Sequence, residues 1–118
     1  MLVIDDEELI VRACLALLSG VCDVTATQSA KEGLARIAAG ECFDAVLCDL
    51  VMPSMTGLDF HTELRRMRPD LADRIVFMTG GVPMSEVAAA LERLPNRRVG
   101  KPFDAAELRS LLGSSNGG

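Results

Sequence analysis

Residues 1–8, MLVIDDEE, pass directly from four apolar side chains to four acidic ones. A short apolar run without alternation is typical of a strand that is buried on both faces of a parallel sheet. The run therefore predicts a first strand over Met1–Ile4. Asp5 and Asp6 would then stand immediately beyond the carboxyl end of that strand.

The same pattern recurs along the chain, where short apolar runs alternate with segments in which apolar residues have helical spacing. Ser29 and Glu32 have the spacing of a capping box at the start of one such segment. The runs predict further strands over residues 22–27, 44–48, 74–78 and 97–100. The segments predict helices over residues 9–18, 29–40, 58–67, 85–94 and 104–112. Five strands alternating with five helices indicate an α/β fold with a parallel sheet covered on both faces.

The size and charge of the chain limit what it can be. Its 118 residues suffice for one domain, which we place at 1–112, followed by a flexible tail of Gly, Ser and Asn at 113–118. Hydrophobic residues make up 49% and charged residues 25%, as in an ordinary globular protein. The net charge of −5 argues against direct binding of nucleic acid, which needs clustered Lys and Arg.

Several side chains carry no functional expectation. The four cysteines, at positions 14, 22, 42 and 48, lie in apolar runs without CxxC spacing, so we expect reduced thiols in a cytoplasmic protein. No apolar run approaches 18 residues, so neither a membrane span nor a signal peptide is expected. The single histidine, His61, is expected on the solvent-exposed side of the third helix.

Polar residues follow four of the five predicted strands: Asp5 and Asp6, Asp49, Thr79 and Lys101. Ligands of open parallel sheets bind at the carboxyl ends of the strands. Three carboxylates meeting there would repel by about 4 kcal/mol per close pair at an effective dielectric of 20, which a divalent cation relieves. Mg²⁺ takes carboxylate and phosphate oxygens together, and an aspartate beside it can attack phosphorus.

Each of these residues taken alone has a plainer interpretation. Asp5 and Asp6 could cap the first helix, Thr79 could be a loop residue, and Lys101 could be a surface lysine. Four unrelated coincidences at four strand ends are improbable, so the joint interpretation is favoured.

Four segments carry a resemblance to a known family: residues 3–7 (VIDDE), 49–57 (DLVMPSMTG), 78–80 (MTG) and 101–103 (KPF). They resemble the response-regulator receiver domain of two-component signalling, in the right order and over nearly the whole chain. The resemblance implies a flavodoxin-like, doubly wound five-stranded sheet of order 2-1-3-4-5.

The resemblance also implies roles for the residues at the strand ends. Asp49 would be the phosphoacceptor and a ligand of Mg²⁺, together with Asp6 directly, Asp5 mainly through water, and the Val51 backbone carbonyl. Lys101 would hold a phosphoryl oxygen.

Thr79 would be the switch hydroxyl that moves toward the phosphoryl group. The sequence departs from the family near this switch. Arg98 stands three positions before Lys101, where the family usually has an aromatic residue. Gly80 and Gly81 form a flexible pair of glycines after Thr79. Val51 offers no polar side chain to the water that would hydrolyse the phosphorylated aspartate.

The resemblance implies that the partner is a histidine kinase or a histidine phosphotransfer protein. We expect no direct contact with nucleic acid or membrane, and a homodimer remains an open alternative. The domain would not be an enzyme in its own right, although it could belong to a hybrid histidine kinase. Its signal would change the face made by the helix at 85–94, the fifth strand and the helix at 104–112. The alternatives are a phosphorylation-independent interaction module, a small phosphatase with an aspartate nucleophile, and a flavodoxin-like cofactor binder.

Overall fold

The structure is a computed structural model that describes residues 1–18, 20, 23–50, 55–80, 89, 93, 94, 96, 98–101 and 106; at Lys101 it describes the backbone. Its elements in chain order are β1 (Leu2–Ile4), α1 (Glu8–Leu18), β2 (Thr25–Thr27), α2 (Ala30–Ala38), β3 (Val46–Asp49), α3 (Gly57–Met67), α4 (Pro69–Ala72), β4 (Ile75–Gly80) and β5 (Arg98–Lys101). Apart from residues 89, 93, 94 and 106, the predicted helices at 85–94 and 104–112 lie outside the described residues, as does the predicted tail.

The five strands form one parallel sheet of order β2-β1-β3-β4-β5, which confirms the predicted topology. The register pairs Ile4 of β1 with Cys48 of β3. Asp5, which follows β1, and Asp49, which ends β3, therefore lie at the same level of the sheet. In the β3–β4 pair, Asp49 is level with Met78.

Apolar side chains cover both faces of the sheet, which explains the unbroken apolar runs of β1 and β3. One face packs against α2 and α3 and includes Leu2, Ile4, Val46, Cys48 and Phe77. The other face includes Val3, Leu47, Met78 and Val99, and it packs against Cys14 and Leu18 of α1. Full burial of a side chain such as Phe60 of α3 contributes about 1.5–3 kcal/mol.

Two helix starts show how local sequence sets the boundaries. At α2, Ser29 accepts a hydrogen bond from the Glu32 amide, as predicted, but the Glu32 carboxylate bonds to the Thr27 hydroxyl instead of completing the capping box. At α3, a full capping box forms between Thr56 and Asp59, with bonds of 3.1 and 3.2 Å. This second box was not predicted from the sequence.

Two features depart from the sequence prediction. A short helix, α4, begins at Pro69, because proline suits the first helical position, where no amide donor is needed. Cys42 is exposed, whereas we expected it to pack as a small apolar residue; Cys14 and Cys48 are buried, and all three are free thiols.

His61 is buried, at 6% exposure, so the expectation of a surface histidine was wrong. The buried positions of α3 are Gly57, Phe60, His61 and Leu64, which form one stripe at helical spacing. The imidazole ring lies 6.1 Å from the Phe77 ring of β4. The position of His61 in this stripe therefore decides its burial, despite its polar ring.

Asn96, just before β5, links the amino end of β5 to the amino end of β4. Its side-chain amide donates to the carbonyl oxygens of Ala72 and Ile75, each at 2.9 Å, and the residue is 7% exposed. We call this pair of hydrogen bonds the Asn96 latch. It fixes the chain before β5 to the end of α4 and the start of β4.

Candidate functional site

Three carboxylates meet at the carboxyl end of the sheet. Asp5, Asp6 and Asp49 each place a carboxylate oxygen within 4.8 Å of the other two. Asp5 is fully buried, Asp49 is 5% exposed, and Asp6 is exposed to solvent. The sequence prediction that these three residues converge is therefore correct, and we refer to them as the carboxylate cluster.

Backbone contacts on both sides hold Asp5 in place. The Asp5 amide donates to the Thr27 carbonyl of β2 at 3.2 Å, and Asp5 Oδ1 accepts from the Glu7 amide at 2.9 Å. The second bond has the local character expected of a turn before α1, which begins at Glu8. Asp5 thus orders the turn before α1 and also belongs to the carboxylate cluster.

Gly57 brings the first turn of α3 against the backbone at Asp49. The Gly57 amide donates to the Leu50 carbonyl at 2.9 Å. A Cβ atom at position 57 would lie 2.7 Å from the Asp49 carbonyl oxygen and 3.0 Å from Leu50 Cα, closer than real side chains approach backbone. This contact was not predicted from the sequence, because nothing local in the chain shows that residues 49 and 57 touch.

Cys48 lies beside Asp49 on the buried strand. Its thiol donates to the Asp49 carbonyl at 3.4 Å. Burial raises the pKa of Cys48 well above its ordinary value, and the neighbouring Asp49 and Asp5 raise it further. The thiol therefore stays neutral and adds no further negative charge to the carboxylate cluster.

The electrostatics of the carboxylate cluster favour a cation. Two unit charges 4.8 Å apart repel by about 3 kcal/mol at an effective dielectric of 20. Burial of Asp5 and Asp49 reduces the screening by water. Oxygen donors at this spacing suit a hard divalent cation such as Mg²⁺ or Ca²⁺, which would offset the repulsion.

The remaining predicted site residues are placed in part. Thr79 is half-buried in β4, which extends to Gly80 instead of ending at Met78 as predicted. The register sets Thr79 level with Gly100 and Gly80 level with Lys101, so both segments reach the same end of the sheet. The Lys101 side chain and all of Val51 lie outside what the structure describes.

Arg98 opens β5 level with Phe77, and it is exposed. Gly100, two residues further on the same face of the strand, would meet no atom of the described residues within 4 Å if it carried a Cβ atom. The position where the resemblance leads one to expect an aromatic ring therefore holds an exposed arginine.

Comparisons with known proteins give a consistent picture. The family model of the response regulator receiver domain matches residues 1–113. The Staphylococcus aureus response regulator SaeR is 29% identical over 110 residues, covering 92% of this chain and 46% of SaeR. The DNA-binding transcriptional regulator NtrC of Azospirillum brasilense is 36% identical over 69 residues, covering 58% of this chain and 14% of NtrC. The chain thus spans less than half the length of both relatives.

Solved structures share the fold. A response regulator receiver domain protein from Clostridium thermocellum superposes with a TM-score of 0.84 at 27% identity, covering 97% of this chain and 90% of that one. The receiver domain of a Pseudomonas aeruginosa sensor histidine kinase, with magnesium coordinated in its active-site cleft, gives a TM-score of 0.83 at 24% identity, covering 99% and 96%. Among the described residues, no helix is long and apolar enough to cross a membrane.

Proposed function

The chain belongs to the response regulator receiver domain family of two-component signalling, and on that premise we propose that Asp49 accepts a phosphoryl group from a phosphohistidine. The observation that carries this proposal is the carboxylate cluster, in which Asp49 lies close enough to Asp5 and Asp6 for the three to share one cation. The donor would be a histidine kinase or a histidine phosphotransfer protein.

The carboxylate cluster would hold Mg²⁺, with Asp6 and Asp49 as ligands and Asp5 acting mainly through water. The backbone carbonyl of Val51 would be a further ligand. Mg²⁺ keeps several waters and accepts phosphate oxygens, so a partly open cluster of carboxylates suits it. Bound there, the ion would supply positive charge both to the carboxylates and to the incoming phosphoryl oxygens. The exposure of Asp6 leaves that side of the cluster open to a donor.

In the transfer, an Asp49 carboxylate oxygen would attack phosphorus while the phosphorus–nitrogen bond of the phosphohistidine breaks. The new bond is an acyl phosphate, and the electron pair of the broken bond stays on the imidazole of the donor. Lys101 would hold one phosphoryl oxygen as a point charge, and the Thr79 hydroxyl would donate to another. Catalysis on this scheme is mainly positioning and charge stabilisation.

We assign the receiver domain to residues 1–112 and treat 113–118 as a flexible tail. The response would pass to the face made by the segments 85–94, β5 and 104–112. Since Arg98 takes the place of the aromatic residue, movement of Thr79 would not be coupled to an aromatic side chain there. Free thiols at Cys14, Cys42 and Cys48 fit a reducing compartment, so we place the domain in the cytoplasm.

The proposal is tested by incubating the protein with acetyl phosphate and Mg²⁺ and measuring its intact mass. We expect one added phosphoryl group that requires Mg²⁺ and is absent from Asp49→Asn. The matched control is Asp44→Asn, which changes an exposed aspartate just before β3 and should gain the group normally.

Rapid hydrolysis could remove the group before measurement, so beryllofluoride binding is measured on the same samples. An adduct that persists in Asp49→Asn would contradict the assignment of the phosphoacceptor. If neither an adduct nor beryllofluoride binding occurs, the domain is a phosphorylation-independent interaction module.

A further inference from the structure

A groove of about 440 Å³ lies beside the second half of α3. The described residues that line it are His61, Thr62, Arg65, Arg66 and Leu94. They lie four to nine residues beyond Gly57 along α3, or belong to the segment before β5. The groove is therefore separate from the carboxylate cluster, which meets only the first turn of α3.

The described lining of the groove holds two basic residues, Arg65 and Arg66, and no acid, although the protein as a whole is acidic. The segments 65–68 and 93–98 contain no acid and hold six of the 12 basic residues: Arg65, Arg66, Arg68, Arg93, Arg97 and Arg98. The net charge of the chain is nevertheless −5. Charge is thus unevenly distributed along the sequence, and the two arginines that line the groove belong to one of these basic segments.

The guanidinium groups at the groove are weakly neutralised by the protein itself. Arg65 forms no ion pair with any residue that the structure describes. Arg66 has one, to Glu63 at 3.8 Å between largely exposed side chains, and such a pair contributes little. These groups are therefore available to carboxylates of another molecule.

A simpler explanation accounts for only part of this arrangement. Basic residues in the last turn of a helix favour its negative end, which covers Arg65 and Arg66. It does not account for the half-buried Leu94, which comes from another segment of the chain to line the same groove. Two separate stretches of chain thus contribute to one surface with an apolar wall and charged edges.

We propose that this groove docks an acidic peptide segment of a partner protein. Carboxylates of the peptide would pair with Arg65 and Arg66, since a guanidinium binds a carboxylate through two parallel hydrogen bonds. An apolar side chain of the peptide would pack against Leu94. Charge complementarity selects this occupant, because the rest of the protein repels acidic segments and the groove attracts them.

Nucleic acid fits the same surface poorly. None of the described lining residues is a Phe, Tyr or Trp on which a base could stack. A polyanion would also meet the net charge of −5 beyond the edges of the groove. A short peptide avoids both problems, because its few carboxylates need to contact only the two arginines.

The test uses the whole chain and a fluorescein-labelled ten-residue peptide of alternating Glu and Leu. Fluorescence anisotropy measures its affinity at two salt concentrations. We expect the double variant Arg65→Gln/Arg66→Gln to bind about tenfold more weakly, as expected for the loss of charge-assisted hydrogen bonds. The charge-matched control Arg12→Gln/Arg36→Gln removes two guanidiniums from α1 and α2 and should bind as the unchanged protein does.

Nuclear magnetic resonance of His61 locates the peptide. This residue is the only histidine, so its ring signals are unambiguous, and they should shift on binding. Equal weakening in both double variants, peptide binding that leaves the His61 signals unmoved, or tighter binding of single-stranded DNA than of the peptide would each overturn the proposal. Asp49→Asn should bind the peptide normally, so the outcome is independent of phosphorylation.

Discussion

The carboxyl end and the amino end of the sheet both contain buried polar groups, but the groups are arranged in opposite ways. At the carboxyl end, three like charges lie within 4.8 Å of one another. At the amino end, the Asn96 latch gives each carbonyl it reaches a donor at 2.9 Å. The first arrangement brings like charges together, which a bound cation would offset, and the second pairs a donor with each of two backbone acceptors. Polar burial can therefore serve binding or stability, and the geometry distinguishes the two.

The latch should show the largest effect of a single substitution. Asn96→Ala removes both hydrogen bonds and leaves buried carbonyls without their donor, which costs about 2–3 kcal/mol. Urea unfolding measures the change. Gln28→Ala, which shortens an exposed amide, is the control and should change stability by less than about 0.5 kcal/mol. Equal stability of the two variants would show that the latch does not stabilise the fold.

Gly57 connects stability with the carboxylate cluster. Gly57→Ala pushes a methyl group toward the Asp49 carbonyl, so we expect a loss of about 1–3 kcal/mol together with weaker Mg²⁺ binding. Gly33→Ala is the control, because its Cβ would meet the flexible end of the Ile4 side chain at 2.8 Å rather than backbone. Calorimetry should find the Mg²⁺ affinity of Gly33→Ala unchanged. An equal loss of Mg²⁺ affinity in both variants would show that Gly57 has no specific role in positioning the carboxylate cluster.

Removing a charge from the carboxylate cluster should raise stability. Without divalent cations, Asp49→Asn relieves repulsion with Asp5 and Asp6, and we expect about 1 kcal/mol of added stability. Asp44→Asn changes an exposed carboxylate and should have little effect. Urea unfolding in the presence of a chelator measures both. A destabilised Asp49→Asn would mean that Asp49 contributes more through its contacts than it costs through its charge.

The smallest effect concerns pH and His61. Burial lowers the pKa of His61 from its ordinary value of 6.5, and Arg65 lowers it further, against opposing effects of Asp73 and Asn96. The unfolded chain therefore binds the proton more readily, so the contribution of His61 is complete above pH 6.5 and declines as pH falls toward the folded pKa.

His61→Gln lacks this titration. The stability of the unchanged protein relative to His61→Gln should fall between pH 7 and pH 5, as measured by urea unfolding at each pH. A difference that stays constant over this range would contradict the lowered pKa.

The sequence predicted the carboxyl end of the sheet better than the amino end. The runs that end at Ile4 and Cys48 are short and unbroken, so the register of two parallel strands places Asp5 and Asp49 together without further information. Three convergent carboxylates then follow from residue type and topology alone.

Other contacts could not be predicted in this way. Asn96 reaches residues 24 and 21 positions earlier in the chain, and no local pattern connects them. Gly57 depends on how closely α3 approaches the backbone at Asp49, which is a property of packing. The burial of His61 could have been predicted from its helical spacing to Phe60 and Leu64, but its polar ring led us to expect an exposed position.

The most direct test of the contrast between the two ends is the change in unfolding free energy on adding Mg²⁺. We predict that Mg²⁺ at ten times its dissociation constant raises the stability of the unchanged protein by about 1.4 kcal/mol, and that of Asn96→Ala equally. Asp49→Asn should gain little or nothing. Equal gains in the unchanged protein and Asp49→Asn, or no gain in either, would contradict the assignment of the carboxylate cluster as the Mg²⁺ site.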